Sequence, residues 1–133
     1  MTEEVMKVEA RELKVGRFIV IDDAPCRIVS IEVSKPGKHG SAKMRITAIG
    51  IFDEQKRTLL TPTDGTVDVP IVKKKNGQVL SVTGNIANVM DKETYETFDV
   101  VIPEELKEKV SEGKEVEIIE SFGKRAIVRV LKE

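Results

Sequence analysis

The chain contains no tryptophan and only five aromatic residues, four Phe and one Tyr, which argues against large stacking platforms for nucleic-acid bases. Its one cysteine, Cys26, has no partner for an internal disulfide. With a single histidine, His39, beside it, the composition cannot furnish a structural zinc site, and no EF-hand loop is present, so no metal site is expected. There is no signal sequence and no apolar run of ~18 residues or more, so a cytoplasmic protein without a membrane segment is expected. An excess of one charge is missing too: 22 Lys and Arg face 23 Asp and Glu, a formal net charge of -1. A uniformly basic nucleic-acid binder is thereby excluded, and any polyanion must be met locally. The length of 133 residues allows one compact domain or two small ones and excludes large multidomain enzymes.

The apolar content is strongly biased. Val and Ile number 18 and 13 against 6 Leu, and such stiff β-branched side chains suit a pleated surface better than a helix. The short run 17–21 ends at Asp22-Asp23-Ala24-Pro25, which reads as a strand closed by a tight turn. From Arg27 the period-two pattern places Val29, Ile31 and Val33 on one face and Ile28, Ser30 and Glu32 on the other. Over 43–52, Met44, Ile46, Ala48 and Gly50 alternate with Arg45, Thr47, Ile49 and Ile51, and Gly50 marks a bulge or bend. After the turn signal Asp64-Gly65, Val67, Val69 and Ile71 alternate with Asp68 and Pro70, which sets a domain boundary near Pro70.

Beyond that boundary, Asn76-Gly77 inside Lys73-Lys74-Lys75-Asn76-Gly77-Gln78 reads as a hairpin turn, with the lysines as a solvated, edge-protecting cluster. Strands are expected over 79–82, 86–90, 95–101, 115–121 and 125–131. One helix is expected over 103–110: Pro103 suits a first helical position, early acids and later lysines match the helix dipole, and Gly113 closes it. The fold class is therefore mainly β, with two small barrels: an SH3-like barrel over 1–70, then an OB-fold over 71–133 with one short helix.

Neither half is basic, but the stretch 33–52 holds Lys35, Lys38, Lys43 and Arg45 without any Asp or Glu. Within it, Gly37-Lys38-His39-Gly40 brackets a long cation and an imidazole with residues that tolerate tight turns. Lys38 is thus expected at the apex of an exposed hairpin loop, open to a partner or a modifying enzyme. A Walker A loop is excluded because Glu32 stands where its first glycine belongs and His39 follows the lysine. The GXXG spacing is that of a KH loop, but β patterns rather than helices flank it. A nucleophile and base pair made of Cys26 and His39 would need an oxyanion site that the sequence does not show, and a buried, inert Cys26 is expected.

Ser34-Lys35-Pro36-Gly37-Lys38-His39-Gly40-Ser41-Ala42-Lys43 resembles the hypusine loop of the translation initiation factor 5A family, particularly its archaeal branch. Asp22-Asp23-Ala24-Pro25-Cys26, Gly77-Gln78-Val79-Leu80 and Met90-Asp91-Lys92-Glu93-Thr94-Tyr95-Glu96-Thr97 resemble further family segments in the same order, so the likeness covers almost the whole chain. Pro36 and Ser41 stand where Thr and His are usual in eukaryotic loops, and both fit the archaeal form. The resemblance implies an SH3-like barrel followed by an OB-type barrel. It makes Lys38 the residue to which deoxyhypusine synthase transfers an aminobutyl group from spermidine, giving deoxyhypusine or, after hydroxylation, hypusine. Ser34, Lys35, Pro36, Gly37, His39, Gly40, Ser41, Ala42 and Lys43 become the loop that contacts RNA or the synthase. The implied function is a non-enzymatic translation factor without a cofactor. It binds the ribosomal E site, and the modified Lys38 reaches the acceptor end of the P-site tRNA to promote peptide-bond formation at stalled or proline-rich sequences. The alternative is a general RNA-binding module that uses the basic hairpin loop unmodified.

Overall fold

The computed structural model describes residues 5–35 and 42–131. In its N-terminal unit, Met1–Ile71, β2 (Phe18–Ile21), β3 (Ala24–Ser34), β4 (Lys43–Gly50) and β5 (Lys56–Pro62) form one antiparallel sheet in chain order. β2 turns directly into β3 because Asp22 and Asp23 both adopt left-handed backbone, with φ of 53° and 63°. Two successive residues of this kind match the twist of paired strands, and Asp tolerates the conformation better than most side chains. β1 (Val5–Glu9) pairs antiparallel with β6 (Thr66–Pro70), and β6 packs against β2. A core of Ile19, Cys26, Ile28, Met44, Ile46, Ala48 and Val67 fills the unit. Each fully buried Ile contributes about 1.5–3 kcal/mol relative to exposure.

The face assignment in β3 is corrected by a bulge. The β3–β4 register shifts between Ile28 and Ser30, so the extra residue reverses the alternation at that point. Ile28 is 1% exposed and packs into the core, whereas Val29 is 45% exposed. Ile31, beyond the bulge, returns to the core side, while Val33 is left exposed. β1 and β5 are strands that the sequence patterns did not indicate. In β5, Arg57, Leu59 and Thr61 alternate with more exposed neighbours.

In the C-terminal unit, Val72–Glu133, β7 (Lys73–Thr83), β8 (Ile86–Asp91), β9 (Thr97–Val101), β10 (Glu115–Ser121) and β11 (Lys124–Val130) form a five-stranded sheet. Its order is β11-β10-β7-β8-β9, and β9 and β11 approach each other to curl it toward closure. Val79, Ala87, Val89, Val116, Ile118 and Ile127 form its core. The chain is thus mainly β, an SH3-like barrel followed by an OB-fold.

Three expectations in this unit are overturned. Asn76-Gly77 is no hairpin turn: β7 runs straight through it, and Gly77 pairs with Asp91 on one side and Val116 on the other. Its glycine serves packing instead, because a Cβ there would lie 2.5 Å from Val89 Cγ1. The helix over 103–110 contracts to a 3-10 turn, Glu104–Leu106, with Pro103 as its N-cap rather than its first helical residue. Eight residues are too few to sustain an α-helix on propensity alone. Leu106 and Val110 anchor the segment in the core, and Gly113, at φ 90°, ends it.

The lysine cluster 73–75 is also not uniformly solvated. Lys75 is held by Asp91 Oδ2 at 3.2 Å and Glu120 Oε1 at 3.6 Å. Asp91 is only 3% exposed, and its Oδ1 accepts the N–H groups of Glu93 and Thr94. Those bonds, with help from Lys75, hold the Asp91 carboxyl below its ordinary pKa.

Candidate functional site

The glycine-bounded basic segment is the connection between β3 and β4. Ser34 stands opposite Lys43, Val33 opposite Met44 and Glu32 opposite Arg45, so the two strands deliver residues 35–42 as the link across one hairpin end. Of the ten residues singled out from sequence, Ser34, Lys35, Ala42 and Lys43 are described. Pro36, Gly37, Lys38, His39, Gly40 and Ser41 lie outside the described residues. Ser34, Lys35 and Lys43 are exposed, and Ala42 is half-buried. Hairpin register therefore brings Ser34 and Lys43 together from opposite ends of the decapeptide.

The alternation in β4 sorts charge from core. Met44, Ile46 and Ala48 are buried, while Lys43 and Arg45 face outward. Glu32 lies across the ladder from Arg45, and exposed Leu60 lies on its other side. The acid-free run of the sequence is thus partly answered by a cross-strand carboxylate at Arg45. Among the described residues, positive charge with no carboxylate across the ladder sits at the hairpin end on Lys43, opposite Ser34 and Pro62, with exposed Lys35 next to Ser34. Such a tip can meet phosphate through charge without making the whole surface basic.

The two feet of the connection are supported differently. β2 pairs with β3 only over Ala24, Pro25, Cys26 and Arg27, so among the described residues Ser34 is laddered on the β4 side alone. The other foot is flanked by β5, with Lys43 opposite Pro62 and Met44 opposite Thr61. Beyond the ladder, the Thr63 N–H donates to the Ala42 carbonyl at 3.0 Å. Sequence patterns missed this support because β5 was not recognised: the adjacent Leu59 and Leu60 break the polar-apolar alternation, although Leu60 is exposed in the strand.

Cys26 lies in the core at 0% exposure, and its thiol donates to the Ala24 carbonyl at 3.3 Å. Burial, the largest influence, pushes its pKa up against the opposing pull of Arg57, the reverse of what a nucleophilic thiolate requires. His39 lies outside the described residues. Near Cys26, Arg57 grips both oxygens of Asp53, at 3.1 and 2.8 Å. That bidentate bond, followed by the Gln55 N–H, lowers the Asp53 pKa to about 2. Asp53 lies against Gly50, where any side chain would collide with it. This clamp fixes the β4–β5 turn. Among the described residues no three His, Cys, Asp or Glu side chains gather to hold a metal, and no helix is long and apolar enough to cross a membrane.

A small barrel that carries a basic hairpin end is followed by an OB-fold, an architecture found among oligonucleotide and oligosaccharide binders. Residues 4–65 match the family described as "Translation initiation factor 5A-like, N-terminal", and residues 71–131 match "Eukaryotic elongation factor 5A hypusine, DNA-binding OB fold". These matches define a translation factor of protein biosynthesis. Translation initiation factor 5A of Archaeoglobus fulgidus is 58% identical over 93% of this chain and 97% of its own length. The Methanopyrus kandleri protein of the same name is 53% identical over 97% and 96%. The structure of eukaryotic translation initiation factor 5A from Methanococcus jannaschii superposes with a TM-score of 0.85 at 45% identity, covering 98% of both chains. A family protein from Naegleria fowleri gives 0.70 at 30% identity, over 98% and 100%. The chain belongs to the translation initiation factor 5A family.

Proposed function

We propose that this chain is a cytoplasmic, non-enzymatic factor that binds the ribosomal E site and promotes peptide-bond formation at stalled or proline-rich sequences. Its working group is the Lys38 side chain, extended by an aminobutyl group that deoxyhypusine synthase takes from spermidine, and reaching the acceptor end of the P-site tRNA. The observation that carries this reading is the family match over both units, together with the family's loop sequence falling on the β3–β4 connection.

The physical account rests on reach and charge. A hairpin that leaves its barrel supplies a fixed base, and a long side chain with a second basic nitrogen adds distance and a donor for RNA phosphate or ribose oxygens. Lys35 and Lys43 add positive charge at the base of the connection. Holding a reacting tRNA end in its attack geometry removes an entropic part of the barrier, which the ribosome's own centre then crosses. The factor needs no catalytic residue of its own and no cofactor.

Reconstituted translation of a proline-rich peptide tests the proposal, with the modified wild-type chain compared against Lys38→Arg. The wild type is expected to relieve the stall and the variant to lose most of that stimulation while still folding. Equal stimulation by both would contradict a role for the extended arm and favour an RNA-binding module whose basic hairpin acts unmodified.

A further inference from the structure

Three backbone hydrogen bonds lead from the start of the chain to the C-terminal foot of the basic connection. Ala10 N–H donates to the Gly65 carbonyl at 2.8 Å, Arg11 N–H to the Thr63 carbonyl at 2.9 Å, and Thr63 N–H to the Ala42 carbonyl at 3.0 Å. Residues 62–65 form a β-turn closed by Gly65 N–H on the Pro62 carbonyl at 2.9 Å. This turn is held from below. Ala10 is fully buried and Thr61 is 8% exposed, the Thr61 hydroxyl donates to the Pro62 carbonyl, and a Cβ on Gly65 would lie 2.5 Å from Thr61 Oγ1. The 3-10 turn Ala10–Glu12 is itself fixed by a capping box between Glu9 and Glu12.

We infer that Thr63 is a positioning residue. Its backbone N–H and carbonyl transmit the rigidity of the buried Ala10 segment to Ala42 and so set the direction in which the basic connection joins β4. The tether is one-sided: Ser34 at the other foot is laddered only to β4 among the described residues. On the reading of Lys38 as the modified residue, which this inference adopts for its second test, a fixed foot lowers the ordering cost when the synthase takes up the connection. The tether therefore acts on recognition of the chain rather than on transfer of the aminobutyl group once bound.

The substitution that isolates the tether is Thr63→Pro, which removes the N–H bonded to Ala42 and keeps the carbonyl bonded to Arg11. Thr63 is the second residue of the 62–65 turn, and neither it nor Asp64 has positive φ, so the turn has the form that accepts proline there. Thr63→Ala keeps the N–H and is the matched control. Nitrogen-15 relaxation on the unmodified proteins reads the tether without any modification. In Thr63→Pro, order is expected to fall at Ala42 and Lys43 but not at Ser34, with Thr63→Ala like wild type. Unchanged order at Ala42 would overturn the inference. Aminobutyl transfer by deoxyhypusine synthase gives the functional readout: KM for the protein rises about threefold to tenfold in Thr63→Pro, the range expected from one lost hydrogen bond, with kcat and the KM for spermidine unchanged. Equal KM for Thr63→Pro and Thr63→Ala would overturn the recognition role. If the wild-type chain accepts no aminobutyl group, the proposed function fails while the relaxation result still decides the tether. Should Thr63→Pro not fold, hydrogen exchange in the wild type decides: strong protection of the Thr63 amide is expected, and exchange at the free-peptide rate overturns the inference.

Discussion

Gly77 offers the sharpest test of how the OB-fold sheet is packed. The perturbation is Gly77→Ala. The new methyl carbon would lie 2.5 Å from Val89 Cγ1, 3.3 Å from the Met90 carbonyl oxygen and 3.4 Å from Ile118 Cγ1. Carbon atoms pack best about 3.5–4.0 Å apart, so β8 must give by roughly 1 Å or Val89 must leave its rotamer, at about 1–3 kcal/mol. Relief of the glycine's unfolded-state entropy returns about 0.5–1 kcal/mol, leaving a net loss of up to about 2.5 kcal/mol. Val89→Ala alone removes two buried carbons from a side chain at 0% exposure, costing about 1.6 kcal/mol in transfer at 0.8 per carbon and more for the cavity. The two substitutions should compensate. With Val89 shortened, the alanine at 77 meets no γ-carbon, and the double variant should be at least about 1 kcal/mol more stable than additivity allows. Urea unfolding followed through amide signals of the C-terminal unit measures the cycle. Additive losses within about 0.5 kcal/mol, as for independent sites, would refute the claim that Gly77 is required by Val89.

The β3 bulge predicts opposite fates for two neighbours: Ile28→Ala should cost about 2–4 kcal/mol as a buried truncation, whereas Val29→Ala should stay within about 0.5 kcal/mol. Equal losses, measured by the urea unfolding midpoint, would contradict the register. The Asp53–Arg57 clamp predicts a pH dependence. Because the Asp53 pKa is lowered to about 2 in the folded chain, against ~3.9 when unfolded, its stabilisation is present above about pH 4 and is lost as pH falls toward 2. Asp53 is 40% exposed, so the effect is small, and a carbon-13 titration of its carboxyl is the suitable measurement. Arg57→Met should raise that midpoint toward the ordinary aspartate value, and an unchanged midpoint would contradict the assignment.

Much of this architecture is legible in residue order because period-two burial is a local signal. Met44, Ile46 and Ala48 alternate cleanly and are buried as the pattern implies, and Asp22-Asp23 turns the chain where two short polar residues permit left-handed backbone. The failures share a cause, since each needed a tertiary neighbour to be known. Gly77 looks like a turn residue until Val89 is seen against it. Val29 looks like core until the extra residue of the bulge is counted. The 103–110 segment has helical caps and charges, but it is too short for propensity to decide, and the core contacts of Leu106 and Val110 hold it as a single turn. The candidate site rests on a different kind of signal: Gly37-Lys38-His39-Gly40 is a specific motif that lies outside the described residues, and the acid-free run around it is visible by counting. The Thr63 tether was not, because a backbone N–H has no side-chain signature.

The central claim is that this small two-barrel chain serves to present a modified lysine. Intact-mass analysis of the protein purified from its native cells, with fragmentation to locate any addition, tests it most directly. An added aminobutyl group, with or without one further oxygen, confined to Lys38 is the result expected. A chain carrying an unmodified Lys38 would contradict it.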